Sequence, residues 1–315
     1  MTPPPAEAVV ATARVGLGGR ARVIDDENWL GAFLIAPAVI YIVLLVGFPF
    51  CLAVLYSLTD VTVGNQALDF VGLRNYAGII ESSTFWVALR NTIVFTLVSQ
   101  AIVVVLAKIL ALALIQDFPG KWLVRLLILL PWIAPISLGT IGWLWMLDPV
   151  YSILNWVLRA IGWLGPSERY IWLGQPDLAM GSIIAVHVWR LLPLATVILI
   201  AGLTAIPKDV LEAAAVDGAG FWRRLFQITI PLMQPIMLVA VLFGVVFTVT
   251  DMVVIFVLTR GGPYDTTQVL ASWAYFTGVQ GGDLSEGAAI SLFMFPVLAA
   301  IAIVMLRMAR RAEVT

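Results

Sequence analysis

The sequence predicts an all-α membrane protein with six transmembrane helices. Of its 315 residues, 61% are hydrophobic and only 12% are charged, and the mean hydropathy is +1.00. Soluble domains carry about twice that fraction of charged residues, so lipid must be the solvent for most of this chain. Backbone groups in lipid must form hydrogen bonds within their own segment, and helices meet that requirement.

Six hydrophobic runs each reach the ~20 helical residues that are needed to cross a hydrocarbon core of ~30 Å. The first run contains Pro37 and Pro49, at which a helix can bend. The longer runs must tilt, kink or extend beyond the core. The runs cover residues 29–58, 86–115, 122–147, 178–203, 232–258 and 287–306.

These runs define a six-span domain over residues 29–307, with a tail at each end. Residues 1–28 are rich in Ala, Pro, Gly and Arg and are predicted to be disordered, and residues 308–315 are predicted to be a second tail. Acidic residues come directly before the first run, and that run is too long for a cleavable signal peptide. We therefore expect the first run to remain as a membrane span.

The positions of Lys and Arg predict that both tails lie in the cytoplasm, because cytoplasmic loops carry an excess of these residues. Placing the N-terminus inside gives the inner side the larger set. That inner set is Arg14, Arg20, Arg22, Lys121, Arg125, Lys208, Arg223, Arg224, Arg307, Arg310 and Arg311, and the outer set is Arg74, Arg90, Arg159, Arg169 and Arg260.

The longest polar interruption in the C-terminal half of the chain, residues 204–231, predicts two short helices joined by a turn. Leu211, Ala214 and Ala215 fall on one face of the first helix. Gly218 follows, and glycine is the usual residue where a helix ends in a left-handed turn. Pro231 marks the start of the next span. This loop lies on the predicted cytoplasmic side.

Three features of this loop occur at a characteristic spacing: Glu212-Ala213-Ala214, then Gly218, then the ending Ile228-Thr229-Ile230-Pro231. Together they resemble the EAA loop of the permease subunits of bacterial ABC importers. Ile230 stands where leucine is commoner in that family. The resemblance implies the type I importer permease fold, in which the EAA loop supplies a cytoplasmic coupling helix.

Two outer loops indicate which branch of the importer permeases the sequence resembles. Residues 70–76, FVGLRNY, are followed by Phe85 and by Asn91-Thr92, and residues 258–263 read LTRGGP, with Arg260 where the family usually has glycine. These patterns are similar to those of the carbohydrate-uptake branch, of the glycerol-3-phosphate or oligosaccharide type, in the first of two paired permeases. Between these loops, residues 152–163 predict a short helix at the outer interface.

The resemblance implies a subunit that forms half of a translocation path for a sugar, a sugar phosphate or a polyol in the bacterial plasma membrane. Its partners would be a second homologous permease, two ATP-binding subunits and an extracytoplasmic solute-binding protein, besides membrane lipid. In the loop, Ala213 and Ala214 would allow close approach of an ATPase, Gly218 would make the turn, and Glu212 and Asp217 would make polar contacts. Ile228 and Pro231 complete the loop motif.

The sequence itself contains no G-x-x-x-x-G-K-[ST] motif, so this chain cannot hold ATP phosphates in that way. The resemblance therefore implies that ATP and Mg²⁺ are bound by the partner ATPases, and that this chain is not an enzyme. One histidine, His187, and one cysteine, Cys51, do not make a metal site. The net charge of −1 argues against a nucleic-acid partner.

Charged side chains within the spans are candidates for the solute path, because each costs about 2.5–3.5 kcal/mol at mid-bilayer. Lys108 is near the cytoplasmic end of its span and can extend its ammonium to the interface. Arg190 and Asp251 lie deeper, and Thr248 is a turn before Asp251. Arg190, Thr248 and Asp251 are either contacts for a hydroxylated solute or parts of a structural ion pair.

Two other classes of protein remain as alternatives. An ion-coupled secondary transporter usually has internal repeats and intramembrane carboxylates, and this chain offers only Asp251. A membrane-embedded enzyme needs a metal cluster or a nucleophile with a base, which His187 alone does not supply. The importer subunit is the leading hypothesis.

Overall fold

The computed structural model describes residues 27–313 of the chain, which divides into two units, one ending at Leu52 and one beginning at Ala53. The predicted tail of residues 1–28 therefore lies almost wholly outside the described residues. The α-helices are α1 Glu27–Ile42, α2 Phe48–Ser57, α3 Arg74–Glu81, α4 Ser83–Ile115, α5 Lys121–Ile133, α6 Ile136–Met146, α7 Ile153–Ala160, α8 Pro176–Thr204, α9 Lys208–Val216, α10 Phe221–Arg224, α11 Ile230–Leu232, α12 Gln234–Val249, α13 Val253–Leu258, α14 Leu270–Tyr275 and α15 Leu284–Glu313.

Within the described residues, four helices are long and apolar enough to cross a bilayer, and six spans result if each of two bent helix pairs counts as one. The only β-type pairing in the same part of the chain is an isolated bridge between Thr59 and Phe70. The all-α prediction is thus confirmed. The four long helices are Gly31–Ser57, Ser83–Ile115, Pro176–Thr204 and Leu284–Met308, and the bent pairs are α5 with α6 and α10–α11 with α12.

The first span contains a π-helical turn, Val43–Gly47, between α1 and α2. The Phe48 N–H donates to the Val43 carbonyl, five residues back, instead of four as in an α-helix. This turn ends two residues before Pro49, which has no N–H to donate and disturbs the preceding turn. The helix thus changes its hydrogen-bond pattern near Pro49, one of the two prolines at which the sequence analysis expected a possible bend.

The core of the second unit is the packing of α4 along α8, with α12 against both of them and against α15. The buried face of α4 carries small side chains at helical spacing, among them Ala88, Ser99, Ala107 and Ala111. Small residues let helix backbones approach closely, which drives packing in membranes where burial of apolar surface gains little. Gly202 allows the same close approach between α8 and α12, since a Cβ there would lie 2.9 Å from Ile236 Cγ2.

Two of the predicted spans are interrupted, in keeping with the expectation that the longer runs kink. α5 and α6 meet at 97°. Ala134 between them has ψ 142°, the extended conformation that a following proline, here Pro135, favours. α12 and α13 are separated at Thr250, Asp251 and Met252. Asp251 Oδ1 accepts hydrogen bonds from the first two backbone N–H groups of α13, as a helix cap does.

The loops are more structured than the sequence indicated. The helix predicted in the second outer loop is present as α7. The structure adds α3 in the first loop and α14 in the third, and residues 270–274 of α14 are buried. α14 leads into a π-helical turn that crosses α15 at Gly278 and Gly287, where a Cβ on either residue would overlap the other backbone. The sequence analysis did not predict α3 or α14.

The family-like residues of the first loop hold the loops together. The Asn75 amide donates to the carbonyls of Ser57 and Thr59 at 3.0 and 2.8 Å. The Asn91 amide donates to the carbonyls of Thr266 and Gln268 at 2.8 and 2.9 Å, so it joins α4 to the loop before α14. These side chains satisfy backbone groups that no regular element pairs.

Candidate functional site

The short helix α9 is the first candidate site. It begins directly after Pro207 and ends at Val216, and the N–H of Asp217, the C-cap residue, donates to Ala213 O at 3.0 Å. Gly218 has φ +75°, its N–H donates to Ala215 O at 3.1 Å, and the Ala219 N–H donates to Ala214 O at 2.9 Å. This is a Schellman C-cap, in which a left-handed residue closes the helix. The predicted turn at Gly218 is confirmed.

The faces of α9 separate the predicted loop residues. Glu212, Ala213, Asp217 and Gly218 are exposed, whereas Ala214 is buried against its own chain. Leu211 is on the buried side and packs on the main core cluster. Close approach by another protein is therefore possible at Ala213, while Ala214 anchors α9 to the rest of the chain.

After Gly218 the chain turns into α10, a π-helical turn Leu225–Thr229 and α11, and this segment meets α12 at 68°. Ile228 is half-buried and Pro231 is exposed at the second position of α11. The predicted second short helix is thus present, and the end of the motif is the bend from which the next span begins.

The second candidate site is a polar cluster inside the helix bundle, and it joins all three predicted path residues. Arg190 Nη2 donates to Asp251 Oδ2 at 2.8 Å, which makes an ion pair. His187, one turn earlier on α8, places Nδ1 2.8 Å from the same Oδ2 and Nε2 2.9 Å from Thr248 Oγ1. The Gln100 amide of α4 donates to Thr248 Oγ1 at 2.8 Å. We call these five residues the buried polar network.

The network joins three helices through groups that are almost fully out of contact with solvent. His187, Thr248 and Asp251 are buried, and so is Gln100. The Thr248 hydroxyl donates to Gly244 O at 2.7 Å within α12. A Cβ on Gly244 would overlap the carboxamide of Gln100, so the missing side chain makes room for the link between α4 and α12.

Asp251 uses its acceptor capacity within the protein. Oδ2 receives Arg190 and His187, and Oδ1 receives the N–H groups of Val253 and Val254 at 3.0 and 3.4 Å. A buried carboxylate needs such partners, because an unpaired one is very costly. Asp251 therefore has the contacts of a structural ion pair, one of the two alternatives that the sequence left open.

Arg190 is the network member that reaches a surface. Its side chain is 16% exposed, and its Nε is buried without a hydrogen-bond partner. A guanidinium has five N–H donors in a fixed fork, so one ion-pair contact leaves others available. Arg190 is thus the partly exposed member of the buried polar network.

His187 and Gln100 are the members of the buried polar network that the sequence analysis did not name as path residues. Neither residue was considered for the solute path, because only formal charges were treated as costly in the spans. A useful signal was available, since His187 and Arg190 are three residues apart and share a helix face. Among the residues that the structure describes, no group of three or more His, Cys, Asp or Glu side chains could hold a metal ion.

Sequence and structure comparisons decide the family. The family described as "Binding-protein-dependent transport system inner membrane component" matches residues 103–313, which include α9 and most of the buried polar network. The chain belongs to this family. It is a permease subunit of an ABC importer and not itself an enzyme, and an ion-coupled secondary transporter is not favoured.

Three relatives show what this permease resembles over nearly its whole length. The trehalose/maltose transport system permease protein MalF of Thermococcus litoralis is 33% identical over 285 residues, which cover 90% of this chain and 95% of that protein. The sulfoquinovosyl glycerol transport system permease protein SmoG of Agrobacterium fabrum is 31% identical, with 91% and 92% covered. The trehalose transport system permease protein SugA of Mycobacterium tuberculosis is 32% identical, with 90% and 89% covered.

A solved structure confirms the fold. A chain of a bacterial alginate ABC transporter, in complex with an alginate pentasaccharide-bound periplasmic protein, superposes on this permease with a TM-score of 0.76. The match covers 90% of this chain and 95% of that chain at 21% identity. The permease thus has the fold of an ABC importer permease, as the resemblance implied.

Proposed function

We propose that this permease imports a sugar, a sugar derivative or a polyol. The observation that carries the proposal is the agreement among relatives over about nine-tenths of the chain, whose names specify trehalose or maltose, sulfoquinovosyl glycerol and trehalose. The outer-loop patterns support the same substrate class. The solute would be delivered by an extracytoplasmic solute-binding protein and would cross between this permease and a second, homologous one.

The energy for transport would enter at α9. Its exposed side chains Glu212, Ala213 and Asp217 form a compact surface that ends in a rigid turn at Gly218. We assign this surface to contact with one of two ATP-binding subunits, which would hold ATP and Mg²⁺. Transport by movement of whole helices needs stiffness and fit at such a contact, rather than a reactive group.

The proposal includes the orientation and the domain limits. Residues 29–307 form the membrane domain, and the tails 1–28 and 308–315 lie in the cytoplasm with α9. The larger set of Lys and Arg on that side supports this arrangement. α15 continues as a helix to Glu313, so most of the second tail would extend the last span as a helix.

Within the membrane, we assign the solute contact of the buried polar network to Arg190. Its partial exposure and its remaining N–H donors support this role. Thr248 and Asp251 would position Arg190, since Asp251 holds its guanidinium and Thr248 holds His187. Neutral hydroxylated solutes suit this site, because the Asp251 carboxylate already balances the charge of Arg190.

The test is purification of the tagged permease from its native membrane in mild detergent, followed by identification of bound subunits and measurement of ATP-dependent uptake in proteoliposomes. We expect a second permease and an ATPase to be recovered. Gly218→Pro should abolish uptake and ATPase recovery, because proline fixes φ near −65° and Gly218 requires +75°. Membrane insertion should be unchanged.

Gly220→Pro is the matched control, because Gly220 is two residues away and has φ −66°, which proline adopts. We expect this variant to keep ATPase binding. A Gly218→Pro permease that still imports its solute with ATP would contradict the role of α9. Uptake by the isolated chain without any ATPase would overturn the importer assignment.

A further inference from the structure

A cavity of about 690 Å³ lies at the end of α6, where the segment before α8 passes beside it. One wall is the last turn of α6 with Leu144, Trp145 and Leu147, and the other contains Ile171 and Leu173. Small-molecule sites usually have volumes of about 300–1,000 Å³ and combine apolar walls with a few polar groups. This cavity has that size and composition, and it is separate from the buried polar network.

The position of the cavity along α8 identifies its side of the membrane. Gly174 in its wall comes two residues before α8, and α9 follows four residues after α8 ends. α8 has 29 residues and is therefore about 43 Å long. The cavity and α9 thus lie at opposite ends of a helix that crosses the bilayer, so the cavity is on the side opposite the proposed ATPase contact, where solute enters.

Two aromatic side chains border the cavity with their rings largely free. Trp145 is 79% exposed and Tyr151 is 85% exposed. Neither packs against another aromatic ring in the part of the chain that the structure describes. Tyr151 also borders a second cavity of about 520 Å³, whose wall contains Trp156 and Arg159. The aromatic surface therefore continues past the first cavity.

Asp148, between Trp145 and Tyr151 in the sequence, lines the same cavity. Its Oδ1 accepts hydrogen bonds from the N–H groups of Val150 at 2.7 Å and Tyr151 at 2.8 Å, which fixes the carboxylate in a tight turn. The same two hydrogen bonds hold the pKa of Asp148 below its ordinary value, and the bond from the Tyr151 N–H has the larger effect. Asp148 is therefore ionised at neutral pH, and its second oxygen is available to accept further hydrogen bonds.

A fixed carboxylate between free aromatic rings matches the chemistry of a saccharide. A sugar ring has an apolar face of C–H groups, which can stack on Trp or Tyr, and hydroxyl groups at its edge, which donate to a carboxylate. Saccharide hydroxyls would give the free oxygen of Asp148 hydrogen-bond donors, which a lipid acyl chain lacks.

We propose that this cavity is a saccharide-binding site on the solute-entry side of the permease, with Trp145 and Tyr151 as stacking surfaces and Asp148 as the hydroxyl acceptor. The inference rests on the proposed import of sugars. It adds a site in this subunit that the solute occupies before it reaches Arg190. The second cavity beyond Tyr151 gives room for more than one sugar ring.

The test uses the permease with its co-purifying subunits in nanodiscs, without the solute-binding protein, so that only sites within the membrane complex are measured. Saturation-transfer NMR with trehalose and with maltose reports binding through the sugar C–H protons. We expect transfer to at least one of the two sugars. Trp145→Ala and Asp148→Asn should each weaken that binding about tenfold or more, as for the loss of a stacking surface or of a charged hydrogen bond.

Two features make the variants specific. Asp148→Asn keeps Oδ1 as an acceptor for Val150 and Tyr151, so the turn remains while the charge and one acceptor are lost. Trp163→Ala is the control for Trp145→Ala, because Trp163 is also an exposed tryptophan before α8 but does not border the cavity. It should leave sugar binding unchanged.

Absence of transfer to both sugars in the unmodified complex would overturn the inference. Equal transfer in Trp145→Ala, Asp148→Asn and the unmodified complex would also overturn it, because the sugar would then bind elsewhere. Loss of the second permease from Trp145→Ala, with unchanged sugar binding, would make the cavity a subunit contact instead. Failure of the proposed function would be seen separately, as absence of an ATPase from the purified complex.

Discussion

Asp251→Asn tests whether the buried polar network is held together by its ion pair. Asparagine keeps an oxygen that can accept from the N–H groups of Val253 and Val254, so the cap of α13 can remain. The change removes the negative charge that balances Arg190 and replaces the oxygen that His187 contacts. The variant therefore isolates the charge from the shape of the site.

The expected cost is about 3 kcal/mol in the free energy of unfolding. Removing one partner of a buried ion pair usually costs about 3–5 kcal/mol, because the other charge is left uncompensated. The lower end applies here, since Arg190 is 16% exposed and solvent can stabilise part of its charge. Uptake should fall with stability, because the network joins α4, α8 and α12.

A double-mutant cycle separates this explanation from general damage. Arg190→Met removes the positive charge but keeps an apolar stem of similar length, and Arg190→Met/Asp251→Asn leaves no charge in the pair. Unfolding of the four proteins can be followed in mixed micelles as the fraction of denaturing detergent increases. We expect the double variant to be more stable than the sum of the single effects predicts, by about 2 kcal/mol or more. Additivity within about 0.5 kcal/mol would refute the reasoning.

Two further predictions concern positions where backbone geometry and packing are clear. Gly244→Ala should lower the thermal unfolding temperature and uptake, because its Cβ would overlap Gln100, whereas Gly181→Ala, with open space at the Cβ position in α8, should change neither. The refuting result is an equal effect of the two changes. Arg260→Gly should stabilise the protein by about 0.5–1 kcal/mol, since Arg260 has φ +52° and loses only an exposed contact of its guanidinium with the Phe256 ring. A lower unfolding temperature for this variant, measured in the same detergent, would contradict the strain argument.

The features that the sequence predicted well depend on local signals. The end of α9 at Gly218 follows from one glycine after a helical pattern, and the structure has a left-handed residue there. Arg260 also takes the left-handed conformation that glycine favours, at a position where the family usually has glycine. The exposure of Ala213 and the burial of Ala214 needed the structure, since both are alanines on a short helix.

The features that the sequence did not reveal depend on contacts between distant segments. Gln100 and Thr248 are 148 positions apart, and no local pattern indicates that Gly244 leaves space for the Gln100 carboxamide. α14 was missed because its apolar segment is far shorter than a membrane span, and length was the criterion for a helix. The break before α13 had a signal in Asp251, which was interpreted as a charge in a span and not as a helix cap.

The two candidate sites belong to one mechanical arrangement. Along the chain, α9 lies between α8 and the segment that leads into α12, so a displacement of α9 would be transmitted to both helices. His187 and Arg190 lie 14–17 residues before the end of α8, and Thr248 lies 14 residues after the start of α12, so the network crosses the bundle about 21–25 Å from the α9 end of each helix. Two helices that are joined at one end and again by buried hydrogen bonds at mid-height resist independent movement. A displacement of α9 would therefore move α8 and α12 together. Arg190 would move with them, because its guanidinium is paired with Asp251, which follows the end of α12.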